Sequence, residues 1–150
     1  MEKYNIGRIS LGIFYLVAAV VNLIHTIHNT HYLWSVCLEN VLFSFYKDIL
    51  EQIVIPNEKL IILMVVVFEF IVGVLILSKD VFVKIGLILA TLWVLFVAQF
   101  LPWVDILGHL LLGIFQGLLL MGNYDTTILE IVTTYLKGWG SNSNGEVKLD

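Results

Sequence analysis

Few side chains in this 150-residue sequence could do chemistry inside its long apolar stretches. Glu69 is the single charge between Lys59 and Lys79, and His109 lies in a later apolar stretch that begins after Pro102. An ionisable group in hydrocarbon is costly unless it faces protein or water. Glu69 and His109 are therefore predicted to exchange protons or hydrogen bonds with a ligand.

Several other polar residues are predicted to converge with these two. Asp105 and His109 are spaced four residues apart and share one helix face. His25 and Gln99 are expected at the same membrane depth, where they would orient a ligand. The hypothesis is one polar pocket, opening to the outer side and lined by Asn22, His25, Glu69, Gln99, Asp105 and His109.

A structural role is the alternative for part of this set. Buried amides such as Asn22, Gln99 and Gln116 fasten membrane helices to one another through hydrogen bonds. Asp105 could cap the N-terminus of its helix, where the helix dipole favours a carboxylate. Both readings stay open at this point.

A metal or haem site is a further hypothesis, carried by the H-x-x-H-x-x-H run that contains His25, His28 and His31. Neighbours three apart on a helix can share a metal. The candidate ligands are His25 and His28 from this run, together with His109.

Cys37 is the only cysteine, which excludes an internal disulfide or a dithiol redox pair. No nucleophile elbow, phosphate loop or zinc-protease motif is present in the sequence, so stand-alone catalysis has no support.

The elements that must position these residues are membrane helices. The chain is 59% hydrophobic and 13% charged, against about 45–50% and 25% in a soluble domain. We predict an all-α bundle of four transmembrane helices in a lipid bilayer. The net charge of −4 and the lack of a basic cluster exclude nucleic acid as an expected partner. The predicted spans are 6–28, 60–78, 81–101 and 103–121, within one domain of residues 1–137 followed by a flexible cytoplasmic tail at 138–150.

Two shorter helices are predicted outside the spans. Apolar residues recur at helical spacing between Leu38 and Ile53, which indicates an amphipathic helix in the first, outer connection. Pro56 and Asn57 are expected to end it before the second span. Thr127 and Glu130 have the spacing of a capping box, which indicates a short interfacial helix near the C-terminus.

Basic residues predict the orientation. With the N-terminus inside, six of the eight lysines and arginines fall on the inner side and two on the outer side. Both termini are therefore predicted to be inside, in a multi-pass protein of the plasma membrane.

Two short segments are distinctive: GRISLGIF at 7–14, which leads into the first span, and FEFIVGVL at 68–75 in the second. Both segments resemble DoxX-like membrane proteins. The resemblance covers roughly residues 7–122 and implies a four-helix membrane bundle. It also implies that Arg8, Glu69 and Gly73 are family positions, and that quinone- or sulfur-linked oxidoreductase complexes are candidate partners. The long first connection and the histidine run depart from the pattern.

The leading expectation is an accessory protein or subunit of a membrane redox system, with a polar pocket for a quinone head group or another small ligand. One rival is a small oligomeric, proton-coupled transporter or channel subunit that uses Glu69. The other rival is a non-catalytic assembly or scaffold protein whose polar residues only fasten the helices.

Overall fold

The computed structural model describes residues 2–134, and this range contains helices and turns but no strand. Two short 3-10 turns, Thr26–His28 and Ala98–Phe100, extend the first and fifth helices. A seventh helix at 128–134 closes the described range. The six helices that precede it, in chain order, are α1 Glu2–Ile24, α2 Thr30–Asn40, α3 Ser44–Ile49, α4 Glu58–Leu77, α5 Val81–Val97 and α6 Trp103–Leu119.

Three helical stretches are long and apolar enough to cross a membrane: Tyr4–His28, Ser44–Leu77 and Val81–Phe100. They contain 25, 34 and 20 residues. The sequence predicted a fourth, but α6 has only 17 residues. At ~1.5 Å per residue it reaches about 25 Å, which is less than the ~30 Å of hydrocarbon in a bilayer. The fold is a helical membrane bundle with three full-length spans and one shorter apolar helix.

Large apolar side chains remain exposed along all four of these helices. Phe14 is 52% exposed, Phe70 57%, Leu92 59% and Leu111 68%. A protein surrounded by water rarely exposes continuous apolar surface of this extent. The outer surface of the bundle is therefore suited to lipid.

The four helices alternate in direction and define two ends of the bundle. We call the end that carries the Thr26–His28 turn, α2, α3 and the Leu101–Pro102 turn the loop face. The other end is the terminal face, where α1 begins and α4 meets α5. The positive-inside count predicts that the loop face is the outer one.

The prediction for the first connection was wrong in its boundaries. The single amphipathic helix is broken at Val41–Phe43, where Phe43 is extended, so that α2 and α3 are separate. Pro56 does not end the second of them. A π-helical turn at Leu50–Val54 and a 3-10 turn at Ile55–Asn57 carry α3 directly into α4. Proline removes one backbone donor and crowds the preceding turn, and the altered hydrogen-bond pattern here accommodates it.

Aromatic rings attach this connection to α5. The ring of Tyr46 lies 5.2 Å from that of Phe100 and 6.4 Å from that of Phe96. The amide of Leu42 donates a hydrogen bond of 3.2 Å to the carbonyl of Gln99. The first connection therefore covers the loop face instead of forming a free loop.

The capping box near the C-terminus is confirmed. The Thr127 amide donates to Glu130 Oε2 at 2.7 Å, and the Glu130 amide donates to Thr127 Oγ1 at 3.2 Å. The hydrogen bond from the Thr127 amide lowers the pKa of the Glu130 carboxyl. The short helix follows at 128–134. The predicted tail at 138–150 lies outside the described residues.

Two glycines allow α1 and α4 to pack in close contact. A Cβ added to Gly73 would lie 3.1 Å from the carbonyl oxygen of Gly12 and 2.9 Å from Leu16 Cγ. A Cβ added to Gly12 would lie 2.6 Å from Leu77 Cγ. Small residues let membrane helices approach each other closely, which is where van der Waals attraction between them is largest.

The turn between α4 and α5 contains a strained residue. Asp80 has φ 54° and ψ −130°, a region that is essentially restricted to glycine. Its side chain makes no capping hydrogen bond to α5, whereas its amide donates to the carbonyl of Tyr124 at 2.7 Å. The amide contact holds the strained conformation in place.

Asp80→Gly is expected to stabilise the protein by about 1 kcal/mol, because glycine adopts this conformation without strain and keeps the amide donor. The thermal midpoint in mild detergent measures it. Lys79→Gly is the matched control in the same turn, and it should lower the midpoint slightly because it only adds freedom to the unfolded chain. An unchanged or lower midpoint for Asp80→Gly would contradict the assignment of strain.

Candidate polar site within the bundle

The polar contacts inside the bundle start from one stripe of α1. Arg8, Tyr15 and Asn22 are spaced seven residues apart, which places them on nearly the same helix face. Arg8 and Tyr15 are buried and Asn22 is half-buried. Each of the three contacts a different set of neighbours.

The contact nearest the loop face joins α1 to α4. Asn22 Nδ2 donates a hydrogen bond of 2.8 Å to Glu69 Oε2. Thr26 Oγ1 donates to Asn22 Oδ1, also at 2.8 Å. The Glu69 side chain is only 7% exposed. Among the side chains that the structure describes, no lysine, arginine or histidine lies within ion-pair distance of its carboxyl.

The middle contact joins three helices. Gln116 Nε2, on α6, donates to the Tyr15 hydroxyl at 3.0 Å. The Tyr15 hydroxyl donates in turn to the carbonyl of Ala90 on α5, at 3.4 Å. Gln116 is fully buried, and its Oε1 has no hydrogen-bond partner. This contact fastens α1, α5 and α6 together in the apolar interior.

The third contact, at the terminal face, centres on Arg8. Its guanidinium is completely buried, donates to the Ser78 carbonyl at 2.9 Å and also donates to the Thr126 carbonyl. The guanidinium carbon lies 5.1 Å from the centre of the Tyr124 ring, a cation–π geometry. Arg8 therefore ties α1 to the end of α4 and to the segment after α6.

Tyr124 completes this contact. Its hydroxyl donates to the Leu119 carbonyl, and a Cβ added to Gly122 would collide with that hydroxyl. Burial raises the pKa of the Tyr124 hydroxyl, and the Arg8 guanidinium partly opposes that rise. At physiological pH the Tyr124 hydroxyl is therefore neutral and donates its hydrogen bond, while the Tyr124 ring lies beside a buried cation.

Of the six residues predicted to line one pocket, the structure joins Asn22 and Glu69 through their side chains. His109 bonds within its own helix, where its Nδ1 lies 2.9 Å from the carbonyl oxygen of Asp105. The Asp105 side chain is exposed in the first turn of α6, a position that suits the helix dipole. The described hydrogen bonds connect Glu69 to Asn22 and not to a histidine.

His25 and Gln99 lie at the loop face. His25 is exposed at the end of α1, and Gln99 lies in the 3-10 turn after α5. Their backbone carbonyls accept hydrogen bonds from Asn29 and Leu42, respectively. Their role in orienting a ligand stays a prediction.

The metal hypothesis rests on His25, His28 and His109. Within the part of the chain that the structure describes, no group of three histidine, cysteine, aspartate or glutamate side chains is placed to hold a metal ion. His31 lies 3.7 Å from Glu58 Oε2, so it contacts the start of α4 instead.

Sequence reasoning missed the buried contacts of Arg8, which it counted among the basic residues of the inner side and named as a family position. The signal that could have found it is the seven-residue spacing of Arg8, Tyr15 and Asn22. A polar stripe of this kind on an otherwise apolar helix indicates a protein-facing side.

No family model matches the chain, and no match to it was found among the curated proteins or the solved structures. The resemblance to DoxX-like proteins therefore rests on the segments 7–14 and 68–75 alone.

Proposed function

We propose that this chain is a four-span integral membrane protein that binds a proton at Glu69 and presents that carboxyl to a small hydrogen-bonding ligand. The observation that carries the proposal is the placement of Glu69 within a membrane-spanning helix, 7% exposed and hydrogen-bonded by Asn22. An ionised carboxylate with no cationic partner is costly in an apolar environment. Holding a proton removes that cost.

The fourth span of the proposal is α6. A helix of about 25 Å can cross a bilayer that thins locally or that meets polar flanking residues. Asp105 at its start and the turn after Leu119 supply such flanks. The termini would then lie on one side of the membrane, as the distribution of basic residues predicts.

Labelling with dicyclohexylcarbodiimide tests the proton site, because this lipid-soluble reagent adds to protonated carboxyl groups. We expect an adduct on Glu69, located by peptide mass spectrometry, whose yield falls as the pH is raised. Glu69→Gln should remove it. Glu130→Gln, which changes a fully exposed carboxyl, should leave it intact. Purified wild-type protein with no adduct on Glu69 at any pH would refute the proposal.

The resemblance to DoxX-like proteins supports a more specific form of the proposal. In it, the ligand is a quinone head group and the chain is an accessory subunit of a membrane redox system. Organic extraction of the purified protein and reduced-minus-oxidised spectra test this form. If the purified protein contained no lipid-soluble redox compound, the quinone form of the proposal would be refuted, whereas the proposal of a proton site at Glu69 would be unaffected.

A scaffold function is the second candidate, and the contact between Tyr15, Gln116 and Ala90 favours it. That contact joins three helices and involves no ionisable group other than the tyrosine. Hydrogen bonds of this kind contribute about 0.6–2 kcal/mol each to helix association. If Glu69→Gln left ligand binding and partner association unchanged, the scaffold reading would be preferred.

A further inference from the structure

The two ends of the bundle differ in how they surround Glu69, and this difference indicates from which side the carboxyl is reached. On the loop side, Ile62 and Val66 of α4 are buried as well, but the neighbours of Glu69 on α1 are polar and only half-buried. Asn22 and Thr26 are both half-buried, and Thr26 lies in the 3-10 turn at the loop face. Two hydrogen bonds of 2.8 Å connect that turn to the carboxyl. They are not a proton relay, because the Asn22 amide keeps its own hydrogens, but they line the carboxyl with polar, half-buried groups that water can reach from the loop face.

On the terminal side, Glu69 is followed by tightly packed aliphatic side chains. Val72 and Ile76, one and two turns further along α4, have no exposed surface. They pack in one cluster with Leu11 of α1 and with Val83 and Leu87 of α5, all at most 3% exposed. Close-packed apolar side chains leave no room for the chain of water molecules that would carry a proton.

Tyr15 does not bridge this gap. Its hydroxyl hydrogen is directed to the carbonyl of Ala90, which is a helix backbone group and cannot pass a proton on. Its oxygen accepts from an amide, which holds its own hydrogen. A proton on Glu69 therefore has no continuous relay through Tyr15 to the terminal face.

Arg8 adds an electrostatic barrier behind this packing. Its guanidinium is fully buried and its hydrogen-bond partners are carbonyls, and no described carboxylate lies within ion-pair distance. A fixed positive charge without an acidic partner repels protons and other cations that approach from the terminal face.

The remaining titratable groups on the elements around α4 do not alter this contrast. His25 and His28 are exposed at the loop face, and His31 contacts Glu58 there. Tyr15 is the group within electrostatic range of Glu69. The other described groups on these elements are Tyr4 and Arg8 of α1, Tyr32, Cys37 and Glu39 of α2, Glu58 and Lys59 of α4, Lys84 of α5, and Asp105 and His109 of α6.

We propose that Glu69 exchanges its proton with the loop face alone, and that the aliphatic cluster and Arg8 close the route to the terminal face. This inference rests on the proposed function, in which Glu69 holds a proton. It makes the site a sensor or binding site for one compartment and not a step in a transmembrane proton path.

The experiment uses full-length protein in liposomes, with orientation measured by removal of a C-terminal tag with a non-permeant protease. The pH of the two compartments is varied separately with a collapsed membrane potential, and dicyclohexylcarbodiimide is added briefly. We expect the Glu69 adduct to follow the pH on the loop side, by up to about tenfold per pH unit, the limit for one titrating group. The pH on the terminal side should change it by less than about twofold.

Labelling that followed the terminal-side pH, or both sides equally, would overturn one-sided access and would match the transporter rival instead. A Glu69 that is not labelled at all would refute the proposed proton site itself, so the two failures are distinguishable. A Tyr15→Phe variant provides a second measurement. Because Tyr15 is not on the route, the variant should keep the loop-side dependence, and a switch to the terminal side would also overturn the inference.

Discussion

Replacing Gly73 with leucine is expected to lower the free energy of unfolding by about 3 kcal/mol, the upper end of the range for overpacking a close-packed contact. The new side chain would start from a Cβ only 3.1 Å from the Gly12 carbonyl oxygen and 2.8 Å from Leu16 Cδ2. The Leu16 side chain can rotate in part, but the Gly12 carbonyl is backbone, so relieving that contact requires the two helices to move apart. Thermal unfolding in mild detergent, followed by circular dichroism, measures the loss.

Gly108→Leu is the matched control for this substitution. A Cβ added at Gly108, on α6, would have no atom within 4 Å. The same change of glycine to leucine should therefore leave the midpoint unchanged or raise it, because leucine is the better helix former. If both variants lost stability equally, the close approach of α1 and α4 at Gly73 would not be what limits the substitution.

Arg8→Met is expected to destabilise the bundle by about 3 kcal/mol and to release the segment 123–127. Methionine fills a similar volume but leaves the carbonyls of Ser78 and Thr126 without their donors. Hydrogen bonds to charged groups contribute about 1.5–3 kcal/mol each. Hydrogen–deuterium exchange of peptides covering 123–127, together with the thermal midpoint, measures the two effects.

Two further variants sharpen the test of Arg8. Lys84→Met removes the charge of an exposed lysine on α5 and should change neither measurement. Arg8→Lys keeps the charge but cannot match the fork of two guanidinium donors, so an intermediate result is expected. The role assigned to Arg8 would be contradicted if residues 123–127 exchanged faster than in the wild type in Lys84→Met, or no faster than in the wild type in Arg8→Met.

The helical spans could be predicted closely from the sequence, because their positions depend on the length of uninterrupted apolar segments. The predicted 60–78 and 81–101 compare with Glu58–Leu77 and with Val81–Val97 extended by the turn Ala98–Phe100. Pro56 was misjudged for a different reason. A proline predicts a break from local geometry alone, whereas a π-helical turn beside it lets the chain continue as a helix.

Part of the polar site was predictable and part was not. Asn22 and Glu69 could be assigned to one site, because each is an isolated polar residue expected at a similar membrane depth. The contact of Arg8 with Thr126 was not, since the two lie 118 positions apart and a threonine carbonyl carries no sequence signal. His109 lies within hydrogen-bond distance of a carbonyl of its own helix. Helical periodicity cannot tell whether a side chain bonds to its own helix or to a neighbouring one, so this partner could not be predicted.

The seven-residue stripe of α1 has a consequence for how the bundle finds its alignment. Apolar helix surfaces in lipid are nearly interchangeable, because acyl chains solvate them as well as another helix does. Sliding α1 by one turn, or rotating it by one residue, would separate Arg8, Tyr15 and Asn22 from all of their partners at once. These three polar contacts therefore fix the position and rotation of α1 in the bundle, because a misaligned arrangement loses all three of them together.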